Sequence, residues 1–421
     1  MEIFDQLESN VRGYCRAFPV VFTKAQNALL TDSEGKEYID FLGGAGTLNY
    51  GHNNPKFKQA LVDYINSDGM THGLDMHTNA KQAFLESFQS RILKPRKMDY
   101  RVQFTGPTGT NAVEAALKIA RKNTGRHTIV SFTNGFHGVT QGSVAVTANQ
   151  KYKESVGMPL PGVQFMPYDG YLGDFDTLEY FEKALEDQSS GLGHPAGVIV
   201  ECIQGEGGLN VASKEWMVRL QAICRRYDMV LIVDDIQAGC GRSGTFFSFE
   251  EFGIEPDVIT LSKSLGGYGL PMAIVLLKEQ LDSWKPGEHN GTFRGNNHAF
   301  ITARQALEHY WADDQFSTGV QKKAAHLKAR LKEIQAKHGG QLKHKGKGIM
   351  QGLEFKSGEL ADAVTELAFK RNLVIETSGS QGQVVKVLAP LTIENTVLDQ
   401  GLDILSDCIA EALSENISKA S

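Results

Sequence analysis

Short apolar runs alternate with helical patterns through the middle of the chain. The runs are rich in Val and Ile and are bounded by polar residues or glycine, which is typical of buried strands: Thr128–Phe132, Val163–Met166, Gly197–Ile203, Met229–Val233, Val258–Leu261 and Ala273–Leu277. Between them, apolar residues recur with helical spacing after Thr110, from Leu178 to Leu185 and from Trp216 to Cys224. This alternation predicts a mainly parallel sheet covered by helices on both faces.

The two ends of the chain have a different pattern. The turn residues Asp32-Ser33-Glu34-Gly35-Lys36 lie between two apolar stretches and predict a hairpin. A lysine-rich amphipathic helix is predicted from Gln321 to His338, where Gly339-Gly340 ends it. We therefore expect a large α/β domain over residues 56–314. Residues 1–55 and 315–421 should pack together as a smaller domain.

The composition argues against nucleic acid and membranes as partners and favours a cytoplasmic location. Lys+Arg is 43 and Asp+Glu is 49, a net charge of −6, which argues against nucleic acid as the main partner. A transmembrane helix needs about 20 apolar residues, and the apolar runs are far shorter. The N-terminus has no signal-peptide pattern, so we expect no membrane association and a cytoplasmic location. The five cysteines are scattered and never form C-x-x-C, so we expect neither disulfides nor a metal site.

One glycine motif suggests a nucleotide site. Residues 239–244 match G-x-G-x-x-G after a strand, but a dinucleotide site requires these glycines to open a helix. The strand ends instead in Asp234-Asp235, whose carboxylates would repel a pyrophosphate. The segment that follows is a poor helix start. We therefore predict a tight loop, and a nicotinamide-dependent oxidoreductase is kept as a distant alternative.

Three other features together indicate a cofactor. Thr108-Gly109-Thr110 opens a helix, where hydroxyls and free N–H groups bind anions. Ordinary N-capping by threonine is the more common reason for such a residue. Asp234 ends a buried strand, and Lys263 follows another, which suits a solvated lysine as well as a functional one. A phosphate cradle, a carboxylate and an amine are the groups that hold pyridoxal 5′-phosphate. A buried site would keep the lysine neutral and nucleophilic.

Six stretches, in order along nearly the whole chain, resemble the class III aminotransferases of the aspartate aminotransferase fold: Thr105–Lys118, Phe136–Gly138, Glu201–Gly208, Asp234–Gly244, Leu261–Gly267 and Gly291–Asn296. The resemblance implies fold type I, with a large mainly parallel-sheet domain, a small α/β domain and pyridoxal 5′-phosphate as cofactor. Residues 41–52 and 106–113 resemble the branch that transfers the amino group of L-glutamate to L-aspartate 4-semialdehyde. An ornithine or 4-aminobutyrate aminotransferase, or an aminomutase, is the alternative on this fold.

The resemblance also implies a set of cofactor-binding residues: Thr108, Gly109, Thr110, Phe136, His137, Asp234, Gln237, Lys263 and Thr292. Lys263 would form the Schiff base and carry the proton. Asp234 would hold the pyridinium nitrogen and Gln237 the ring hydroxyl, with Phe136 stacked on the ring. Thr292 would reach the cofactor phosphate of a neighbouring subunit, which implies a homodimer at least.

Substrate recognition is where the chain departs from the family pattern. The resemblance places Glu206 beside the substrate, and Lys386 stands where many relatives carry a carboxylate-binding arginine. A lysine is a point charge and cannot form the two-pronged contact of arginine. Val139 stands where many relatives have an arginine for the distal carboxylate of glutamate, and Arg242 is one candidate for the missing charge. Glu206 and Lys386 form either a pair that opens for glutamate or a permanent ion pair.

Overall fold

The computed structural model describes residues 2–420, with side chains up to Ser414. Its strands are β1 (Phe22–Gln26), β2 (Leu29–Asp32), β3 (Glu37–Asp40), β4 (Tyr100–Phe104), β5 (Ile129–Phe132), β6 (Val163–Met166), β7 (Gly197–Val200), β8 (Ile203–Gln204), β9 (Asn210–Val211), β10 (Val230–Asp234), β11 (Val258–Leu261), β12 (Ile274–Lys278), β13 (Lys343–Lys347), β14 (Met350–Glu354), β15 (Leu373–Val374), β16 (Glu376–Ser378) and β17 (Val384–Val387).

Its helices are α1 (Glu2–Leu7), α2 (Tyr14–Ala17), α3 (Gly43–Gly46), α4 (Pro55–Asn66), α5 (Asn79–Phe88), α6 (Gly109–Thr124), α7 (Gln141–Val146), α8 (Gln150–Lys153), α9 (Thr177–Glu186), α10 (Lys214–Arg226), α11 (Asn297–Tyr310), α12 (Gln315–Lys337), α13 (Gly358–Lys370) and α14 (Asn395–Ala420). The single turn α3 has a positive φ at all four of its residues. Among the helices described, none combines the length and hydropathy needed to cross a bilayer.

The central sheet, within residues 2–420, has seven strands in the order β4-β12-β11-β10-β7-β5-β6. Neighbours from β11 to β6 are parallel, whereas β12 is antiparallel to β11 and to β4. The prediction of a mainly parallel sheet is therefore confirmed, with one reversed strand. Asp234 pairs with Thr260, so the carboxyl ends of β10 and β11 lie side by side.

Both faces of this sheet are buried. Along β10, Leu231 and Val233 belong to one apolar cluster, and Val230 and Ile232 belong to a second. Helix α6 contributes its buried residues to the second cluster, and α9 and α10 contribute theirs to the first. Because side chains alternate between the faces of a strand, burial on both faces requires a continuous apolar run.

One strand prediction differs from the structure, and one strand was not predicted. The run Gly197–Ile203 is not one strand: β7 ends at Val200, and β8 pairs with β9 in a separate ribbon. The break lies at Glu201, whose carboxylate turns to accept backbone N–H groups of two loops. Strand β4 does not form an apolar run, because it lies at the edge of the sheet and is mostly half-exposed.

The terminal segments share a sheet. The predicted hairpin is formed by β2 and β3, and β15 from the C-terminal part adds to it parallel to β3. A second sheet has the order β13-β14-β17-β16. Ile39 and Phe41 lie in one apolar cluster with residues of α12, α13 and α14. The division of the chain at residues 55 and 314 stays a prediction.

Candidate active site

Two predicted catalytic residues stand at neighbouring strand ends. Asp234 is the last residue of β10, and Lys263 follows β11 after Ser262. Because the two strands are parallel neighbours, both residues lie at the carboxyl edge of the sheet, where open α/β sheets bind ligands. Lys263 has a φ of 50°, a conformation that is uncommon for a residue with a side chain and that clusters at functional sites.

Lys263 is half-buried, and a backbone carbonyl holds its amine. Its Nζ donates a hydrogen bond to the carbonyl oxygen of Ala45 at 2.9 Å. Burial lowers the pKa of Lys263, although the carboxylates of Glu206, Glu376 and Asp234 oppose this effect. A lowered pKa increases the fraction of neutral amine, which is the form that attacks an aldehyde carbon.

A buried hydrogen bond joins Asp234 to His137. The distance from Asp234 Oδ2 to His137 Nδ1 is 2.7 Å, and both side chains are almost fully buried. Burial alone would lower the pKa of His137, but the hydrogen bond to Asp234 and the charge of its carboxylate raise that pKa above its ordinary value. The pair therefore favours an imidazolium against the carboxylate.

One cavity of about 180 Å³ collects most of the predicted site residues. Those that line it are Gly109, Thr110, Phe136, His137, Glu206, Asp234, Gln237 and Lys263. Thr108 and Thr292 are exposed and lie outside it, and Lys386 is fully buried, in contact with Glu206. The fold thus brings together residues that are far apart in the sequence.

Helix α6 begins at this cavity. The N–H groups of its first turn have no intrahelical acceptor, and a helix N-terminus attracts anions. Thr108 occupies the N-cap position, but its hydroxyl makes no capping bond and instead donates to Asn111 Oδ1 at 2.7 Å. Capping therefore does not explain Thr108. The start of α6 at Gly109 and Thr110 fits a phosphate group.

The side-chain amide of Gln237 is hydrogen-bonded through its nitrogen but not through its oxygen. Its Nε2 donates to Ala45 O at 3.1 Å and to Glu206 Oε1 at 3.0 Å. Its Oε1 is buried and has no hydrogen-bond partner among the residues that the structure describes. A buried acceptor without a donor costs roughly 1–3 kcal/mol. An acceptor in this position fits a hydroxyl group on a bound ring.

Glu206 lies between the cavity and a buried lysine. Glu206 Oε1 accepts a hydrogen bond from Lys386 Nζ at 2.9 Å, and Glu376 Oε1 lies 3.1 Å from the same nitrogen. Burial would raise the pKa of Glu206, but the charges of Lys386 and Lys263 lower it to about 2. Burial would lower the pKa of Lys386, but the two carboxylates raise it above its ordinary value. Glu206 and Lys386 are therefore both charged at neutral pH.

Sequence reasoning missed two carboxylates of the site. Burial raises the pKa of Glu201 to about 7; the side chain lines the 180 Å³ cavity and accepts the N–H groups of Phe136 and Gly205 at 2.9 and 3.2 Å. Glu376 shares Lys386 with Glu206. Glu201 begins one of the six stretches that resemble class III aminotransferases, and this position could have indicated a role in the site. Glu376 lies outside all six.

The glycine motif forms a structural loop. Across residues 235–249, all of them described, the chain makes turns rather than a helix, as predicted. Arg242 is fully buried and donates to Ile349 O at 2.9 Å, to Ala389 O at 2.5 Å and to Asn49 Oδ1 at 2.5 Å. It does not line the 180 Å³ cavity. Arg242 is therefore placed to tie three segments together, not to supply a charge for the substrate.

A second cavity of about 800 Å³ adjoins the first, since Phe136 and Glu206 line both. Its other lining residues include Asn134, Lys151 and Tyr152, together with the loop from Thr377 to Gly382. Val139 lines neither cavity and is 59% exposed. The larger cavity is of a size that admits small polar substrates to Lys263.

The family model for aminotransferase class III matches residues 12–409. The chain belongs to the class III aminotransferases. The predicted family is therefore confirmed, as is its cofactor, because these are pyridoxal phosphate enzymes.

Two relatives of this aminotransferase carry the same name. A diaminobutyrate–2-oxoglutarate transaminase from Halomonas elongata is 58% identical over 98% of this chain and 99% of its own. One from Vibrio parahaemolyticus is 54% identical over 100% of both chains. The matched regions span 98–100% of this chain, so they include the terminal segments as well as the central sheet.

Solved structures confirm the fold of this aminotransferase. An ornithine aminotransferase from Toxoplasma gondii, with pyridoxal phosphate at its active site, superposes with a TM-score of 0.85 at 24% identity over 98% of this chain and 94% of that one. An S-selective transaminase from an Arthrobacter species gives a TM-score of 0.86 at 20% identity, covering 98% of each chain. At these identities the likeness concerns the fold alone.

Proposed function

We propose that this aminotransferase transfers the amino group of L-glutamate to the aldehyde of L-aspartate 4-semialdehyde. The products are 2-oxoglutarate and L-2,4-diaminobutyrate, which is the first step of ectoine biosynthesis. The observation that carries the proposal is the cavity shared by Lys263, Asp234 and Glu206. Full-length similarity to relatives named diaminobutyrate–2-oxoglutarate transaminase supports this choice of substrates.

The cavity offers one partner for each part of the cofactor. The N–H groups of Gly109 and Thr110 would hold its phosphate, with Thr108 beside them. Asp234, backed by His137, would hold the ring nitrogen. Gln237 Oε1 would accept from the ring hydroxyl. Phe136 would cover one face of the ring, since it lines the cavity. When bound, the cofactor supplies an electron sink that stabilises negative charge at the substrate carbon.

Lys263 moves the proton in both half-reactions. Burial favours its neutral amine, so Nζ can take a proton from the carbon that carries the amino group of glutamate and can return it elsewhere. The carbonyl of Ala45 accepts from this amine at 2.9 Å, which positions it at the edge of the cavity.

Glu206 and Lys386 would adapt one site to two substrates. The uncharged aldehyde end of the semialdehyde reacts while Glu206 stays paired with Lys386. Glutamate brings a carboxylate next to its reacting carbon, and Glu206 would then release Lys386 to it. The position of Glu206 supports this role, because it lines both cavities and contacts Lys386.

The active unit would be a homodimer at least, in the cytoplasm. Thr292 is exposed and lies outside the cavity of its own chain, which suits contact with the cofactor phosphate of a second copy. Small-molecule substrates follow from the family.

The acceptor is the part of the proposal that a rate comparison tests directly. With L-glutamate as donor, initial rates would be measured for L-aspartate 4-semialdehyde, for glutamate 5-semialdehyde and for succinate semialdehyde, which are the acceptors of the diaminobutyrate, ornithine and 4-aminobutyrate reactions. We expect the largest kcat/KM with L-aspartate 4-semialdehyde. A larger value with either of the other two would move the function to that reaction.

A further inference from the structure

Lys386 is held by two carboxylates rather than one. Its Nζ lies 2.9 Å from Glu206 Oε1 and 3.1 Å from Glu376 Oε1, and its side chain has no exposed surface. Glu376 faces Lys386 directly across the antiparallel pair β16–β17, a position in which opposite charges attract. The ammonium group of Lys386 is therefore shared by two carboxyl groups.

The two carboxylates differ in their surroundings. Glu206 comes from the loop after β8 and lines both cavities, whereas Glu376 lines neither. The hydroxyl of Tyr14 in α2 donates to Glu376 Oε2 at 3.1 Å. Strand pairing and Tyr14 thus fix Glu376 in place. Glu206 is the partner that can turn away from Lys386 towards the substrate.

We propose that Glu376 is a positioning residue that holds Lys386 in place and weakens the ion pair between Lys386 and Glu206. The carboxylate of glutamate can then replace Glu206 as the partner of Lys386. The inference rests on the proposed function, because it concerns how the same site accepts its amino donor. It adds a residue that the resemblance to the family did not assign.

The physical reason is charge compensation. Removing the only partner of a buried ion leaves an uncompensated charge, which is strongly destabilising. Glu376 remains as a second partner when Glu206 moves away, so the buried charge of Lys386 stays compensated. The negative charge of Glu376 also repels Glu206 and thereby lowers the free energy needed to separate Glu206 from Lys386.

Replacing Glu376 by Gln keeps the side-chain shape and removes the charge. The Glu206–Lys386 pair then becomes exclusive and harder to open. In single-turnover measurements on the reconstituted enzyme, we expect the apparent dissociation constant for L-glutamate to rise roughly tenfold, within the range of coupling between contacting residues. The constant for L-2,4-diaminobutyrate should change by less than about twofold, because that substrate reacts with the pair closed.

Two further variants separate this role from a structural one. Glu376→Asp keeps the charge and should restore much of the glutamate affinity. Glu359→Gln removes an exposed carboxylate at the start of α13 and controls for the loss of one negative charge in this part of the chain.

The pH dependence provides a second signature. The charged groups that face Glu376 are Lys386, Glu206 and Lys263, and Tyr14 donates to it. Burial and the charge of Glu206 raise the pKa of Glu376, although Lys386 opposes them. As the pH falls through that raised pKa, Glu376 becomes neutral in the wild-type enzyme. The affinity of the wild-type enzyme for L-glutamate should then approach that of the Glu376→Gln variant.

The outcomes are distinct. A selective loss of glutamate affinity in Glu376→Gln, with rescue by Glu376→Asp and convergence at low pH, supports the inference. Equal losses for both amines, or no loss at all, overturn it. If the wild-type enzyme fails to react with L-glutamate, the proposed function fails first, and that result is visible before any variant is made.

Discussion

His137 Nδ1 lies 2.7 Å from Asp234 Oδ2 in the interior of the protein. The pair gives Asp234 a cationic neighbour, while the other carboxylate oxygen accepts from the Thr260 hydroxyl and from the N–H of Ile236. Asp234 also lines the 180 Å³ cavity. Such an arrangement can hold a protonated ring nitrogen, because a carboxylate oxygen can accept more than one hydrogen bond. The strength of the cofactor as an electron sink depends on that protonation.

Asp234→Asn should therefore impair chemistry more than folding. The amide keeps the size of the side chain but cannot stabilise a proton on the ring nitrogen. We expect kcat/KM for L-glutamate to fall by roughly 10²–10³, the usual loss when one preorganised electrostatic contact is removed. Steady-state kinetics at saturating cofactor measures this loss. A variant with wild-type kcat/KM would show that Asp234 does not act on the cofactor ring.

Glu201 should make the stability of the cofactor-free protein depend on pH. Its pKa is about 7 in the folded chain against an ordinary 4.5, so the folded state binds the proton more tightly than the unfolded state. Stability is then lost as the pH rises from about 4.5 to about 7, by about 3 kcal/mol for this group. Denaturant unfolding across that range measures the slope.

Glu201→Gln is the matching variant. It should show a shallower fall over the same pH interval than the wild type. Some slope remains, because burial also raises the pKa of Asp235 to about 7. Identical slopes in the two proteins would contradict a buried, proton-binding Glu201.

Arg242 should matter for stability and not for the binding of glutamate. Its guanidinium donates to two backbone carbonyls and to Asn49, and a lysine cannot reach all three acceptors. We expect Arg242→Lys to lower the free energy of unfolding by about 1–3 kcal/mol, the cost of leaving a buried acceptor unpaired. Arg225, which is 58% exposed, provides the matched substitution to Lys. A selective loss of glutamate affinity in Arg242→Lys would instead make Arg242 part of the carboxylate site.

Gly205 should tolerate no side chain. A Cβ at this position would lie 1.6 Å from Gln237 Oε1 and 2.6 Å from Met350 Cε. Gly205→Ala must therefore displace Gln237, which contacts both Ala45 and Glu206. We expect the cofactor affinity to fall at least roughly tenfold, equivalent to about one hydrogen bond. Fluorescence titration of the cofactor-free protein measures it, and Gly319→Ala, with nothing within 4 Å of the added Cβ, is the control.

The sequence predicts the parts of the site that depend on local structure. Lys263 and Asp234 were predictable because each follows or ends an apolar run, and parallel strands bring such ends to one edge. The loop at residues 239–244 was predictable for a different reason, because the Asp234-Asp235 carboxylates before it would repel a pyrophosphate.

Other parts depend on pairing between distant segments, which no local pattern reveals. Glu376 gains its role from β16–β17 pairing and from Tyr14, which is 362 positions away in the chain. The break after β7 depends on the Glu201 carboxylate reaching Phe136. The edge strand β4 is mostly half-exposed, so its sequence has no continuous apolar run to predict a strand.

The absorption spectrum of the cofactor-loaded protein, before and after L-glutamate alone, is the most direct test of the proposed reaction. A visible band from the cofactor bound to Lys263 should give way to the shorter-wavelength band of the aminated cofactor, with release of 2-oxoglutarate. Lys263→Ala is the control and should not turn over. A wild-type band that persists in the presence of L-glutamate would contradict glutamate as the amino donor.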